Sequence, residues 1–179
     1  MSLFQFSITT SLILTFLGLI AWLRRNSLCE SMLLFGRSNR ASVLLLTVCL
    51  IWFLFRYVRT LSEADFGNYK LVIGLVAVFI YFGAIALVRD FLAVRSLSTL
   101  TLFYSREVLD SAWLQEPPGR LFLVTITYII IVTALYFGAW PYRFRDFFQW
   151  LMKKDLRIQT LSISLLLIGM IMLGLSFTL

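Results

Sequence analysis

The residues best suited to chemistry lie between positions 89 and 116. Placed on a helix at about 100° per residue, Arg95, Thr99, Arg106 and Asp110 fall within one arc of roughly 60°, with Glu107 beside it. Mixed charges on one face can pair with each other, dock a partner subunit or grip a phosphate. A solvated polar face above a bilayer yields the same pattern, because surface charge pairs form readily and stabilise weakly. The remaining acids offer less: Glu63 and Asp65 stand two apart before Gly67, which suits a polar turn better than a metal site.

Whole classes of chemistry are missing. The chain has no histidine, which removes the usual haem ligand, the histidine-bearing zinc sites and any general base that titrates near neutrality unaided. Cys29 and Cys49 lie twenty residues apart, the first after an apolar stretch and the second within one, and read as packing residues, with neither a disulfide framework nor a metal knuckle. There is no phosphate-cradling glycine loop, no glycine-flanked serine elbow and no aspartate cluster for a divalent metal. A lipid-modifying enzyme would have to rest on Arg95, Arg106, Glu107 and Asp110, without an evident nucleophile. No cofactor is expected.

The elements that carry these residues are set by composition. Of 179 residues 60% are hydrophobic and 14% charged, against about 45–50% and about 25% in soluble domains. The solvent is therefore a bilayer. Five apolar runs are long enough to span it, at 3–23, 41–58, 71–88, 121–140 and 161–179, and each reads as a helix because lipid satisfies no backbone hydrogen bond. The alternation of a membrane β-barrel is absent. The fold class is thus an all-α integral membrane protein, one domain with five transmembrane helices and a sixth as the alternative. Two amphipathic segments, about 89–116 and 142–157, complete it.

Orientation is harder to read. The first run has no basic residue before it and is followed by Arg24 and Arg25, which favours an uncleaved helix with its arginine end in the cytoplasm. With five spans, however, the basic residues tie. Arg24, Arg25, Arg37, Arg40, Arg89, Arg95, Arg106 and Arg120 fall on one side, and Arg56, Arg59, Lys70, Arg143, Arg145, Lys153, Lys154 and Arg157 on the other. A sixth crossing at 91–105 places ten against five, yet it puts Arg95 inside the span, covers only about 22 Å and has no Gly, Pro or Asn at its hairpin. The simpler expectation is a third helix that continues out of the bilayer.

The second amphipathic segment follows Pro141, a residue suited to a first helical turn. Phe144, Phe147, Phe148 and Leu151 recur at i, i+3, i+4 and i+7, as in a helix lying in the headgroup plane. The connector 24–40 reads as a membrane-edge loop with a short apolar turn at 32–35. The net charge of +7, concentrated in such connectors, points to anionic headgroups rather than nucleic acid. The expected contacts are Arg24, Arg25, Arg37, Arg40, Arg143, Arg145, Lys153 and Lys154.

No Asp, Glu, Lys or Arg lies in the cores of the five runs, whereas ion-coupled transporters hold charge at membrane depth. Arg56 comes nearest, at a helix end among Trp52, Phe53, Phe55 and Tyr57, where its side chain can reach the headgroups. Small residues form stripes that let helices approach closely: Ser7, Ser11, Thr15 and Gly18; Gly74, Ala77, Tyr81 and Ala84; Ser162, Gly169 and Ser176. Thr125, Tyr128 and Tyr136 share one face of the fourth run and are candidates for bonds across the bundle. Together these features favour a non-catalytic subunit that packs against other membrane proteins and anionic lipid. A small oligomeric transporter or channel is the alternative and a lipid-modifying enzyme the second; a bacterial cytoplasmic membrane is the expected location.

Overall fold

The computed structural model describes residues 2–62, 66–88, 90–115 and 119–177, and for Arg25, Asn26, Leu28 and Cys29 the backbone alone. The expectations at Glu63, Asp65 and Arg89 lie outside the described residues, as do the Pro117–Pro118 pair that punctuates the entry into the fourth run and the expectations for the side chains of Arg25 and Cys29. The rest is helical: α1 (Leu3–Leu23), α2 (Arg25–Gly36), α3 (Asn39–Trp52, continued by a π-helical stretch Phe53–Val58), α4 (Lys70–Leu87), α5 (Leu92–Ala112), α6 (Gly119–Ala139), α7 (Pro141–Met152) and α8 (Asp155–Ser176). Five of these elements are long and apolar enough to cross a membrane: α1, α3 with its π stretch, α4 with the 3₁₀ turn before it, α6 and α8. Each overlaps one of the five apolar runs, though the last begins at Asp155 rather than 161, and the chain is a multi-pass transmembrane protein.

Local chemistry explains the boundaries. Ser2 caps α1, with Gln5 bonding back to the Ser2 amide at 3.1 Å in a reciprocal capping box. Ser38 caps α3 and Pro141 opens α7, where a missing amide proton costs nothing. The 24–40 connector is a second short helix rather than a loop: α2 packs on α7 and touches α1 and α5. Its mixed sequence has a weak apolar period, so the helix rests on tertiary contacts rather than on an amphipathic face.

Pairings between helices fix their directions. α1 and α8 form the most extensive pair and run antiparallel, since the Ser7 and Ser176 hydroxyls meet at 2.7 Å while a side chain at Gly18 would meet Ser162 O at 3.1 Å. α3 and α5 run parallel, tied by Cys49 to Ser96 O at one level and Arg56 to Glu107 at another. α4 returns antiparallel to α3, with Thr47 bonded to Tyr81 and Leu54 opposite Gly74. α6 returns antiparallel to α5, with Ser98 against Gly138 and Arg120 reaching Ala112 O. All six long helices therefore run between the same two ends. One end carries α2, α7 and the α4–α5 joint; the other carries the entries to α4 and α6.

This arrangement changes the reading of 89–116. α5 is 21 residues long, about 31 Å at 1.5 Å per residue, and it lies alongside α3 and α6 with nine buried residues, Leu92, Ala93, Val94, Ser96, Ser98, Ser105, Glu107, Val108 and Ala112. It does not lie flat across an end of the bundle. Val108 belongs to the central apolar cluster with Phe6, Leu14, Leu123, Ile126 and Met172. The hairpin before α5 needs no glycine because Phe91 itself adopts a left-handed conformation, φ 55°, a geometry rare for a bulky residue. Its ring packs near Gly36, where a Cβ would meet Phe91 Cδ1 at 3.4 Å. α7 keeps the expected pattern, burying Phe144 and Leu151 with Phe147 and Phe148 partly buried.

Candidate functional site

Charge gathers where α3 ends against the last two turns of α5. The π-helical stretch Phe53–Val58 closes with the Arg59 amide donating to Leu54 O at 3.0 Å, the five-residue spacing that widens a helix and that recurs at functional sites. From this turn Arg56 donates from Nε to Glu107 Oε1 at 2.8 Å and from Nη2 to Glu107 Oε2 at 2.7 Å. Two parallel bonds to one carboxylate are the strongest and most directional form of this pair. The Glu107 side chain is 11% exposed and the Arg56 side chain 57%, so the carboxylate is enclosed while the guanidinium keeps an open edge. Arg56 thus spends its charge on α5 rather than on headgroups alone.

The next residues extend the cluster. Arg106 places its guanidinium carbon 4.4 Å from the Tyr57 ring centroid and lies 3.7 Å from Asp110. Tyr57 in turn packs on Phe103, centroid to centroid 5.5 Å, and Phe103 stacks on Phe53 at 6.3 Å. Those two rings line the near end of an apolar cavity of about 380 Å³ between α3, α4 and α5, whose α4 wall includes Ala77, Tyr81 and Ala84. A carboxylate held by two guanidinium bonds is a poor general base, and the pair is a lock between α3 and α5 with an open cationic edge above the cavity.

The predicted polar face is only partly one site. Arg106, Glu107 and Asp110 gather at this end, but Arg95 stands eleven residues back along α5, about 16 Å away. It is exposed and lines a separate cavity with Gly138 and Ala139, and Thr99 bonds to the Arg95 carbonyl. The four residues read as one polar face, on which a lipid-modifying enzyme would have to rest, do not converge. Among the described residues no group of three His, Cys, Asp or Glu comes together.

The small-residue stripes are spent largely inside the chain. A Cβ at Gly169 would strike the Thr15 hydroxyl and lie 2.9 Å from Thr15 N and 3.1 Å from Ser11 O; Ser11, Ser162 and Ser176 are fully enclosed. This is the α1–α8 seam, and it leaves no room for a partner. On α4, a Cβ at Gly74 would meet Leu54 Cδ2 at 3.7 Å, and Ala77 and Ala84 face the cavity. The face of the fourth run does not bond across the bundle: Thr125 bonds to Leu121 O of its own helix, and Tyr128 and Tyr136 are exposed. Besides the Ser7–Ser176 and Thr47–Tyr81 pairs, Tyr104 of α5 does so, bonded to Thr9 at 3.1 Å and Thr10 at 2.7 Å.

The expected headgroup residues hold together better. Arg24, Arg37, Arg40, Arg143, Lys153 and Lys154 are exposed and all sit at the α2–α7 end. Arg145 there is tied to Asp146 at 3.0 Å. The Arg143 guanidinium lies 5.8 Å from the Tyr142 ring centroid, and Tyr142, as its acceptor, is the foremost cause that holds the Arg143 ionisation above its ordinary range. Arg157 covers the Trp150 ring at 4.1 Å and donates to Trp150 O at 2.9 Å, closing the end of α7. No protein family, characterised protein or solved structure matches the chain.

Proposed function

We propose that this chain is a non-catalytic membrane subunit whose fourth helix is its docking surface for another membrane protein. The observation that carries the reading is α4 itself. It buries none of its residues, whereas the other four candidate spans each bury some. Its outer face presents Leu75, Phe79, Phe82 and Leu87, with Phe79 80% exposed, and a side chain at Gly83 would meet nothing within 4 Å. A glycine notch among large apolar residues lets a neighbouring helix approach closely, which is how helices associate where lipid supplies no hydrophobic drive.

Orientation supports the same picture. If α5 crosses beside α6, the described basic residues at the α2–α7 end are Arg24, Arg25, Arg37, Arg40, Arg143, Arg145, Lys153, Lys154 and Arg157, and those at the other end are Arg56, Arg59, Lys70, Arg106 and Arg120. Nine against five favours the cytoplasm for the α2–α7 end. Arg95, in the first turn of α5, is then within a side chain's reach of the headgroups. Short connectors and this charge bias fit a bacterial cytoplasmic membrane.

Extraction from native membranes in mild detergent tests the reading. The chain should leave with a stoichiometric membrane protein, and a photo-reactive residue at Phe79 should cross-link to that protein while one at buried Ile158 should not. Recovery as a lone stable monomer, with lipid alone cross-linked at Phe79, would overturn it.

A further inference from the structure

A second large cavity, about 590 Å³, lies within the bundle at the α2–α7 end. Leu17 of α1, Leu97 of α5, Ile130 of α6 and Leu165 of α8 wall it, and the Phe144–Phe148 face of α7 closes it. Its volume falls within the range of ligand sites. Its walls are mainly apolar, with hydroxyls at Ser98, Thr101 and Thr133; the two threonines spend their hydroxyl protons on Leu97 O and Ile129 O of their own helices, both at 2.8 Å. An apolar space of this kind excludes water and accepts hydrocarbon. It is not sealed, because Ile129, which also lines it, is 57% exposed. The opening runs along α6 toward whatever surrounds the bundle, and around a transmembrane bundle that is acyl chain.

Charge chooses among the lipids. The two connectors at this end, 24–40 and 141–157, carry Arg24, Arg25, Arg37, Arg40, Arg143, Arg145, Lys153, Lys154 and Arg157 against Glu30, Asp146 and Asp155. Arg145 is paired with Asp146 and Arg157 is engaged at Trp150, whereas Lys153 and Lys154 are exposed and take part in none of the ion pairs found among the described residues. They stand between α7, which closes the cavity, and α8, which walls it.

We propose that this cavity holds an acyl chain of one anionic phospholipid, whose phosphate is drawn to Lys153 and Lys154 at the α7–α8 joint. The proposal deepens the reading of the α2–α7 end as a lipid-facing surface and is independent of what docks on α4.

Native mass spectrometry of the purified full chain, titrated with phosphatidylglycerol or with phosphatidylcholine of the same chains, tests it. One phosphatidylglycerol should bind about tenfold more tightly than phosphatidylcholine. Thr101→Phe or Thr133→Phe, placing a ring in the cavity, should lower occupancy by both lipids about tenfold. Lys153→Gln with Lys154→Gln should bring phosphatidylglycerol down to the level of phosphatidylcholine and leave the latter unchanged. Should the ring variants not fold, Thr133→Cys modified after folding with an alkyl thiosulfonate, in a Cys29→Ser background, blocks the same space. Unaltered phosphatidylglycerol binding in the blocked protein, or equal binding of the two lipids to the unmodified chain, would overturn the proposal. Neither result bears on co-extraction through α4.

Discussion

Arg56 and Glu107, fifty-one residues apart in sequence, meet as a two-pronged pair at 2.8 and 2.7 Å that joins the end of α3 to α5. The carboxylate is enclosed, so removing its partner strands a charge, whereas removing both groups leaves an apolar gap. Arg56→Ala should therefore destabilise the fold by about 2 kcal/mol, below the fully buried range because the guanidinium is half exposed. Arg56→Met combined with Glu107→Leu should return to within about 1 kcal/mol of the original. A double-mutant cycle of detergent-solubilised unfolding measures this, and additive losses would show that the two side chains are not coupled.

The α1–α8 seam predicts a contrast among glycines. Gly18→Leu and Gly169→Leu place a branched side chain against backbone at 2.9 Å, and overpacking of this kind costs on the order of 1–3 kcal/mol. Gly83→Leu meets open space and should leave the melting temperature unchanged while reducing co-extraction of the α4 partner. Equal thermal shifts for Gly169→Leu and Gly83→Leu would contradict the seam.

Hydroxyl positions give a second contrast. Tyr104→Phe removes the bonds to Thr9 and Thr10 and should cost about 0.6–2 kcal/mol, the scale of hydrogen bonds between membrane helices. Tyr128→Phe, at an exposed position, should cost nothing measurable. Thermal unfolding of the two variants side by side decides it.

What was legible in the sequence follows from how far each signal reaches. Five spans and the amphipathic α7 announce themselves through local composition and period, as with Phe144, Phe147, Phe148 and Leu151. The stripe on α1 was legible as a close-approach surface, but its partner on α8 lies at the far end of the chain, and spacing within one helix says nothing about which helix faces it. Arg56 read as a headgroup residue because its acid is fifty-one positions away. α5 resembled a surface helix because three ionisable residues, Arg106, Glu107 and Asp110, crowd its last two turns, although Glu107 turns inward to α3. The α5–α6 seam had a faint signal, Ser98, Ser105 and Ala112 at seven-residue spacing, all buried.

Backbone strain predicts a gain. Leu114 has φ 57° and is 82% exposed, a conformation that costs a side chain bearing Cβ roughly 1–2 kcal/mol. Leu114→Gly removes that strain and loses little packing, so it should stabilise by about 0.5–1 kcal/mol despite a more flexible unfolded chain. Leu75→Gly, at an exposed helical position, should destabilise by about 1 kcal/mol. Opposite signs in denaturant titrations are the expected result.

The path of α5 makes the sharpest prediction. With α5 crossing beside α6, Thr60 and Leu114 lie on one side of the membrane, and Ser38 and Gln149 on the other. Were α5 to lie at the surface instead, Leu114 would join Ser38, and Gln149 would join Thr60. Single cysteines at these four positions, in a Cys29→Ser background with Cys49 buried, can be labelled in sealed vesicles of known orientation by a maleimide that does not permeate. Co-labelling of positions 60 and 114, opposite to 38 and 149, is the expected pattern, and cytoplasmic exposure should fall to 38 and 149 because the basic residues collect at their end. The reverse pairing would return α5 to the interface at the end away from Arg56, where the Arg56–Glu107 fork could not form.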